Sequence, residues 1–368
     1  MKKFFFIAVA VMALAACSKN EVESSRVNAI SFIPANHATK VTGSVFPTSE
    51  TFGVYAWTPG TTGEYFIENK EVSFDGTQWT TATPYYWPKN QAVDFFCYYP
   101  YNATGAVPTV SKTQISYNNI DFSVTQLDIM YADKAVGYTD NANQVEDGQN
   151  AYEGVPTFFR HAGSKVKVNV ILGENEKTET DGTVTKWDVT LKSVQLSGLY
   201  IKGTCAMNLS STDNGIIAWS KPQDADGYYV WTPVATLTNP IDNSLYNDVQ
   251  QRNLVKNEGV TVIPETYMLP QTLASAQQKI KLTFDVKTYR KAPGAADFVL
   301  HLTQTDIVAQ ADLLINTGNP STSILAWEMN QNIIYNITIG PAGRQITFDP
   351  AVSNWDNKTV STNIELEI

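Results

Sequence analysis

Residues 165–172 read KVKVNVIL. Val166, Val168, Val170 and Leu172 fall on one parity, and Lys165, Lys167, Asn169 and Ile171 on the other. Successive side chains of an extended chain point to opposite faces, so this period of two predicts a β-strand packed on one side. Short apolar or alternating runs of the same kind recur from Val27 onward. They are AISFI (29–33), FGVYAW (52–57), VDFFCYY (93–99), DVTLKSVQL (188–196), VTVIP (260–264), KIKLTFDVK (279–287), IIYNITI (333–339) and QITF (345–348). Between them stand TPGTTGE, YNATGAVP, TDNANQVEDGQN, GENEKTETDGT and STDNG, rich in residues that make turns. One stretch, 242–254, has an N-cap candidate, Leu245 and Val249 four apart, and few β-branched residues, so one short helix is predicted there at most. The fold class expected is all-β, a sandwich or barrel architecture rather than βαβ units.

The chain has 368 residues and is 43% hydrophobic, which favours two domains over one core. A polar loop ending in Gly154 and Pro156, just before the alternating run, puts the boundary there. An N-terminal β-sandwich over 27–157 and a C-terminal one over 158–368 are expected. Only 17% of residues are charged, while 18 Tyr, 16 Phe and 8 Trp are spread along the chain, a composition suited to half-buried pleated surfaces. The formal net charge of −10 argues against a nucleic-acid partner, whose phosphates require a concentrated basic face. With 3 His and 3 Cys, metal ligands and nucleophile–base pairs are scarce, which disfavours an enzyme.

Residues 1–16 combine Lys2 and Lys3 with an apolar run over 4–16. That run is shorter than the roughly 20 residues a membrane-spanning helix needs and has the proportions of a signal peptide. Leu14-Ala15-Ala16-Cys17 resembles the lipobox of bacterial lipoproteins, so Cys17 is the expected lipidation site and 17–26 a polar tether. Several acyl chains on Cys17 would hold the protein at a membrane, where one chain alone binds marginally. Cys97, inside DFFCYYP, reads as a small buried hydrophobe, with a disulfide to Cys205 as the alternative.

Seven phrases, in order along the chain, resemble the fimbrillin lipoproteins of Bacteroidetes, the Mfa-like and FimA-like type V pilins. These are ISFIPANHATKVTG (30–43), FGVYAW (52–57), YYWP with DFFCYYP (85–100), LDIMYADKA (127–135), VPTFFRHAGSKVKVNV (155–170), YMLPQTL (267–273) and IIYNITI with ITFDPAVSNW (333–355). The resemblance implies two tandem transthyretin-like β-sandwich domains. It also implies an outer-membrane lipoprotein precursor that polymerises by strand exchange with other pilin subunits, or that caps or anchors such a polymer. Three positions depart from the pattern: Cys97 where Ala is expected, Thr157 where Leu is commoner, and Lys40 where Arg is usual.

The last ten residues, TVSTNIELEI (359–368), alternate without a break. Val360, Thr362, Ile364, Leu366 and Ile368 form one face and the polar residues the other. Two readings stand: a last edge strand packing at home, or a donor strand for a neighbouring subunit. A donor needs a vacated seat. Cleavage after Lys40 by an extracellular trypsin-like protease would release the first strand with the lipid, whereas cleavage at Arg26 would release the lipid alone. The YYWP and FFCYYP clusters could stack on a sugar, but their alternation favours a core. Asp224, Asp226 and Gly227 lack the remaining ligands of a calcium loop and read as a turn. His161, without a GxSxG or HExxH context, reads as a structural hydrogen-bonder. No catalytic site, metal site or cofactor is expected. The leading reading is a structural pilus subunit precursor, lipid-anchored in the outer membrane and then part of an extracellular fimbrium. The alternative is a non-polymerising tip adhesin, anchor subunit or surface glycan-binding lipoprotein, with a host or glycan receptor as partner.

Overall fold

The computed structural model describes residues 29–36, 46–60, 65–89, 91–122, 126–139, 154–208, 218–220, 252–316, 318, 323–340, 345–354 and 364–367. Among these residues every regular element is a strand. The first ten are β1 (Phe32–Asn36), β2 (Phe52–Trp57), β3 (Ile67–Phe74), β4 (Trp79–Thr81), β5 (Val93–Tyr99), β6 (Thr109–Val110), β7 (Gln114–Asp121), β8 (Met130–Ala132), β9 (Ala135–Tyr138) and β10 (Val155–His161). Then come β11 (Ser164–Leu172), β12 (Glu176–Thr178), β13 (Val184–Ser197), β14 (Lys202–Asn208), β15 (Ala218–Ser220) and β16 (Arg252–Asn253). The rest are β17 (Gly259–Met268), β18 (Gln271–Thr272), β19 (Lys279–Lys291), β20 (Val299–Asp312), β21 (Ala326–Trp327), β22 (Gln331–Ile339), β23 (Gln345–Asn354) and β24 (Ile364–Glu367).

The largest sheet runs β2-β3-β4-β1-β10-β8-β5-β9, and β2 also pairs with β5. That extra pairing closes seven of the strands into a ring. Inside it, Phe32, Phe46, Phe52, Trp79, Phe95 and Phe159 belong to one buried cluster. Outside it, Tyr55, Trp57, Phe96 and Tyr98 pack with Ile115, Tyr117 and Cys205, residues of β7 and β14 in a covering sheet of order β15-β14-β7-β6. Strand β5 is therefore covered on both faces, with Phe95 and Cys97 turned into one core and Phe96 and Tyr98 into the other. This is why VDFFCYY is apolar at nearly every position rather than alternating.

A third core lies between two further sheets, β17-β11-β22-β23-β24 and β12-β13-β19-β20. Here the alternation of KVKVNVIL is used directly. Val166, Val168, Val170 and Leu172 are buried, facing a layer that contributes Leu191, Leu282 and Phe284. Each such side chain contributes about 1.5–3 kcal/mol on leaving water. Strand β11 runs antiparallel to β17 and parallel to β22, so it is central and its register is held from both sides.

One expectation is corrected. The C-terminal end of the helix predicted over 242–254 is strand: Arg252 and Asn253 pair with Leu191 and Thr190 of β13, and the remainder of that stretch lies outside the described residues. The boundary placed between Thr157 and Phe158 falls inside β10, a member of the N-terminal ring. Farther along, β14 crosses back to pair with β7, and the Lys202–Asp121 ion pair at 2.7 Å ties the two together. Chain from beyond 158 thus completes the N-terminal layers.

Candidate functional site

The strand that joins β4 to β10 is held lightly on its β4 side. Strand β1, FIPAN, is five residues long and parallel to β10, from Phe32 opposite Val155 to Asn36 opposite Phe159. Its pairing with β4 consists of Phe32 opposite Trp79. Just ahead of it, the Ile30 N–H donates to the Tyr85 carbonyl and the Val155 N–H to the Ser31 carbonyl, both at 2.8 Å. Pro34 has no N–H to give to a ladder, and proline inside a strand is otherwise confined to edges and bulges. Backbone pairing thus holds β1 less firmly than its side chains do.

Those side chains are anchors. Ile30 and Phe32 are buried, and the Phe32 ring meets Phe52 and Phe95 edge-to-face, each at 5.9 Å between centroids. The floor beneath is aromatic throughout: Phe46 stacks on Phe159 at 4.9 Å and stands edge-on to Trp79 at 5.3 Å. Removing β1 would leave a slot between β4 and β10 lined by these rings, with the β1-facing polar groups of β10 unpaired.

The second part of the candidate site is the chain's last strand. Strand β24 pairs antiparallel with β23, Ile364 opposite Phe348 and Leu366 opposite Ile346, and ends its sheet. Two of the five residues singled out as the donor face, Ile364 and Leu366, are thus on their own sheet at an edge. Val360, Thr362 and Ile368 lie outside the described residues, as do Cys17, Arg26, Lys40, Asp224, Asp226 and Gly227.

Neither remaining cysteine adds chemistry. Cys97 and Cys205 are free and buried in different cores, so the disulfide alternative is not realised. Burial pushes both thiols well above their ordinary pKa, the neighbouring Thr157 side chain opposing the shift at Cys97 in part. Thr157 is itself satisfied, its hydroxyl donating to the Val155 carbonyl at 3.1 Å. His161 is held by Asp128, Nδ1 to Oδ1 at 2.6 Å, and its neighbour Arg160 grips Asp133 through two hydrogen bonds of 2.7 and 2.9 Å. Both pairs brace β10 against the segment around β8. Among the described residues no three His, Cys, Asp or Glu side chains gather as metal ligands. The aromatic clusters are mostly core: Trp87 and residues 93–98 are buried, while Tyr86 is exposed.

A ring of strands closed by a short proline-containing strand, joined to a sandwich that ends in a free-edged terminal strand, defines an all-β protein whose notable surfaces are strand edges. The chain belongs to the fimbrillin-like family, whose pattern matches residues 39–355. Among solved structures it is similar to a fimbrial protein from Bacteroides vulgatus, with 15% identity, a TM-score of 0.54, and coverage of 89% of this chain and 99% of that one. It is also similar to the tip fimbrial protein Mfa3 from Porphyromonas gingivalis, with 11% identity, a TM-score of 0.41, and coverage of 89% and 100%. No curated protein matches the chain.

What sequence reading missed at this site is the closure itself. The pairing of β1 with β10 joins residues more than a hundred positions apart, and no spacing within either segment marks it. Gly154 was the available signal, since a glycine before a strand often marks a close backbone approach.

Proposed function

We propose that this member of the fimbrillin-like family is a structural fimbrial subunit precursor, non-enzymatic, that assembles with other pilin subunits by β-strand exchange. Lipid on Cys17 holds the precursor at the outer membrane. An extracellular trypsin-like protease cuts after Lys40, with Arg26 as the other basic site, and β1 leaves with the lipidated segment. A neighbour's residues 359–368 then enter the slot between β4 and β10. The observation that supports this reading is the position of β1: it meets β4 at one residue pair, yet covers an aromatic floor that any replacement would be driven to cover again.

The energetics are adequate. Four apolar side chains of the donor face, buried at about 1.5–3 kcal/mol each, with ladder hydrogen bonds near 1 kcal/mol net apiece, give a gross gain on the order of 10 kcal/mol. The donor strand lies at an accessible place, since β24 has β23 on one side and the end of its sheet on the other.

N-terminal sequencing of chains from surface fibres tests the proteolytic step. Chains beginning at Val41 support it, and fibres built of chains still beginning at Cys17 would sink it. A synthetic 359–368 peptide should bind the chain after trypsin treatment and not before. Fibres that still form from chains lacking 359–368 would remove the donor role. The second reading, a non-polymerising tip adhesin, anchor or glycan-binding lipoprotein with a host or glycan receptor, is favoured by one observation: β24 is paired at home on β23.

A further inference from the structure

The seat that β1 fills ranks the strands that could replace it. Ile30, Phe32 and Pro34 share one parity and are all buried. Among them Phe32 makes the most specific contacts, since its ring meets Phe52 and Phe95 edge-to-face within the cluster that also holds Phe46, Trp79 and Phe159. A ring among rings gains from such contacts beyond the area it buries, and an aliphatic side chain in its place forfeits them and leaves part of the volume empty. On the other parity Ser31 is buried too, with its carbonyl and Oγ close against Gly154. A carboxylate carried into the place of Ser31 would be stripped of its water.

The chain's own tail meets these conditions only in part. TVSTNIELEI (359–368) contains no Phe, Tyr or Trp. A strand running in the direction of β1, apolar face inward, sets Val360, Thr362, Ile364, Leu366 or Ile368 in the place of Phe32. With Leu366 or Ile368 there, Glu365 or Glu367 takes the place of Ser31. With Val360 there, Lys358 takes the place of buried Ile30, and with Thr362 a hydroxyl stands among the rings. Ile364 gives the best register, with Asn363 in the place of Ser31 and Leu366 in the place of Pro34. It still brings no ring.

We infer that the seat of β1, once vacated, selects a donor strand with phenylalanine in the place of Phe32 and an uncharged residue just before it. A different pilin subunit carrying such a strand is then preferred over a second copy of this chain, whose tail enters the seat as the weaker donor. This rests on the strand-exchange reading and adds to it the identity of the favoured neighbour. The template is the natural occupant, in which Ser31 and Phe32 meet both conditions. Specificity of this kind is a difference between two affinities, set here by what the ring gains and by what a buried carboxylate loses.

Competition on residues 18–368 treated with trypsin tests this, with a fluorescein-labelled peptide of residues 27–40 as the bound probe. A 359–368 peptide carrying Ile364→Phe should displace the probe at about a tenth of the concentration that the natural 359–368 peptide needs. The Leu366→Phe peptide brings Glu365 into the place of Ser31 when its ring is seated, and should gain about threefold at most. A natural tail as effective as the Ile364→Phe form, or a Leu366→Phe form equal to it, would overturn the inference and leave strand exchange standing. A treated chain that takes up the probe but yields it to no tail peptide would overturn both. So would a treated chain that never takes up the probe, since a seat that does not bind β1 again has no strand to exchange.

Discussion

Gly154 lies against Ser31 so closely that a Cβ built on it would stand 2.8 Å from the Ser31 carbonyl carbon, carbonyl oxygen and Oγ. Real Cβ atoms do not come this near to backbone, and here the backbone belongs to the segment leading into β1. The adjoining Val155 N–H is the one that donates to the Ser31 carbonyl. Gly154→Val should therefore lift the start of β1 from β10 and cost about 1–3 kcal/mol, as overpacking does. Urea unfolding reads the loss directly. If strand exchange is the function, the same variant should release its cleaved N-terminal segment faster than the natural chain.

Phe32 supplies the side-chain half of the hold on β1. It is buried, with two edge-to-face partners in Phe52 and Phe95. Phe32→Ala should cost about 3–5 kcal/mol, the usual range for truncating a core phenylalanine. Tyr86→Ala is the control, because Tyr86 borders the same strand through a bridge to Ala29 yet is exposed. Its effect should stay within about 0.5 kcal/mol in the same denaturation measurement.

The strands that sequence reading found share one property, a buried face that marks their residues. KVKVNVIL and DVTLKSVQL alternate because one face of β11 and of β13 is buried, so burial wrote its period into the residues. VDFFCYY was found because both its faces are buried. Strand β20 passes unnoticed in VLHLTQTDIVAQAD, since its first eight residues have no buried face to impose a pattern. The partners were less legible than the strands. Parallel pairing of β1 with β10, and the return of β14 to β7, depend on contacts between distant segments, and no spacing within either segment records them. Hence the seat beneath β1 could be named from sequence as a need but not located.

Cys97 and Cys205 make a chemical test of the two cores. Burial pushes both thiols up, so at pH 8 almost none of either is thiolate, and both are shielded from reagents. Residues 18–368, which lack Cys17, should show no thiol reactive to Ellman's reagent while folded and two in guanidinium chloride without reductant. A count of zero in denaturant would mean the two are bridged after all, which would require the cores they occupy to rearrange.

The crossing of β14 into the N-terminal layers predicts how the chain can be divided. A fragment of residues 27–157 contains β2 to β9 but loses most of β10, and with it the partner of β1 and the Arg160–Asp133 and His161–Asp128 pairs. It also loses Tyr200, Cys205 and Leu269, which are buried against Tyr117 and Phe122 in the outer core. On the sandwich side, Gln271 joins Tyr200 through both backbone groups, at 3.0 and 3.1 Å. Gln126 likewise joins Tyr267, accepting from its N–H at 2.9 Å and donating to its carbonyl at 3.2 Å. Each of these paired bonds ties segments remote in sequence, so the cut severs an aromatic core and its polar braces together. The 27–157 fragment should show no cooperative thermal transition by circular dichroism, and its exposed rings should bind a hydrophobic dye. Extending it to residue 272 restores β10, β14, β15 and the Gln271 and Tyr267 contacts, and should recover a cooperative transition. A 27–157 fragment that melts cooperatively on its own would show that the inner ring needs neither β10 nor the covering strand β14.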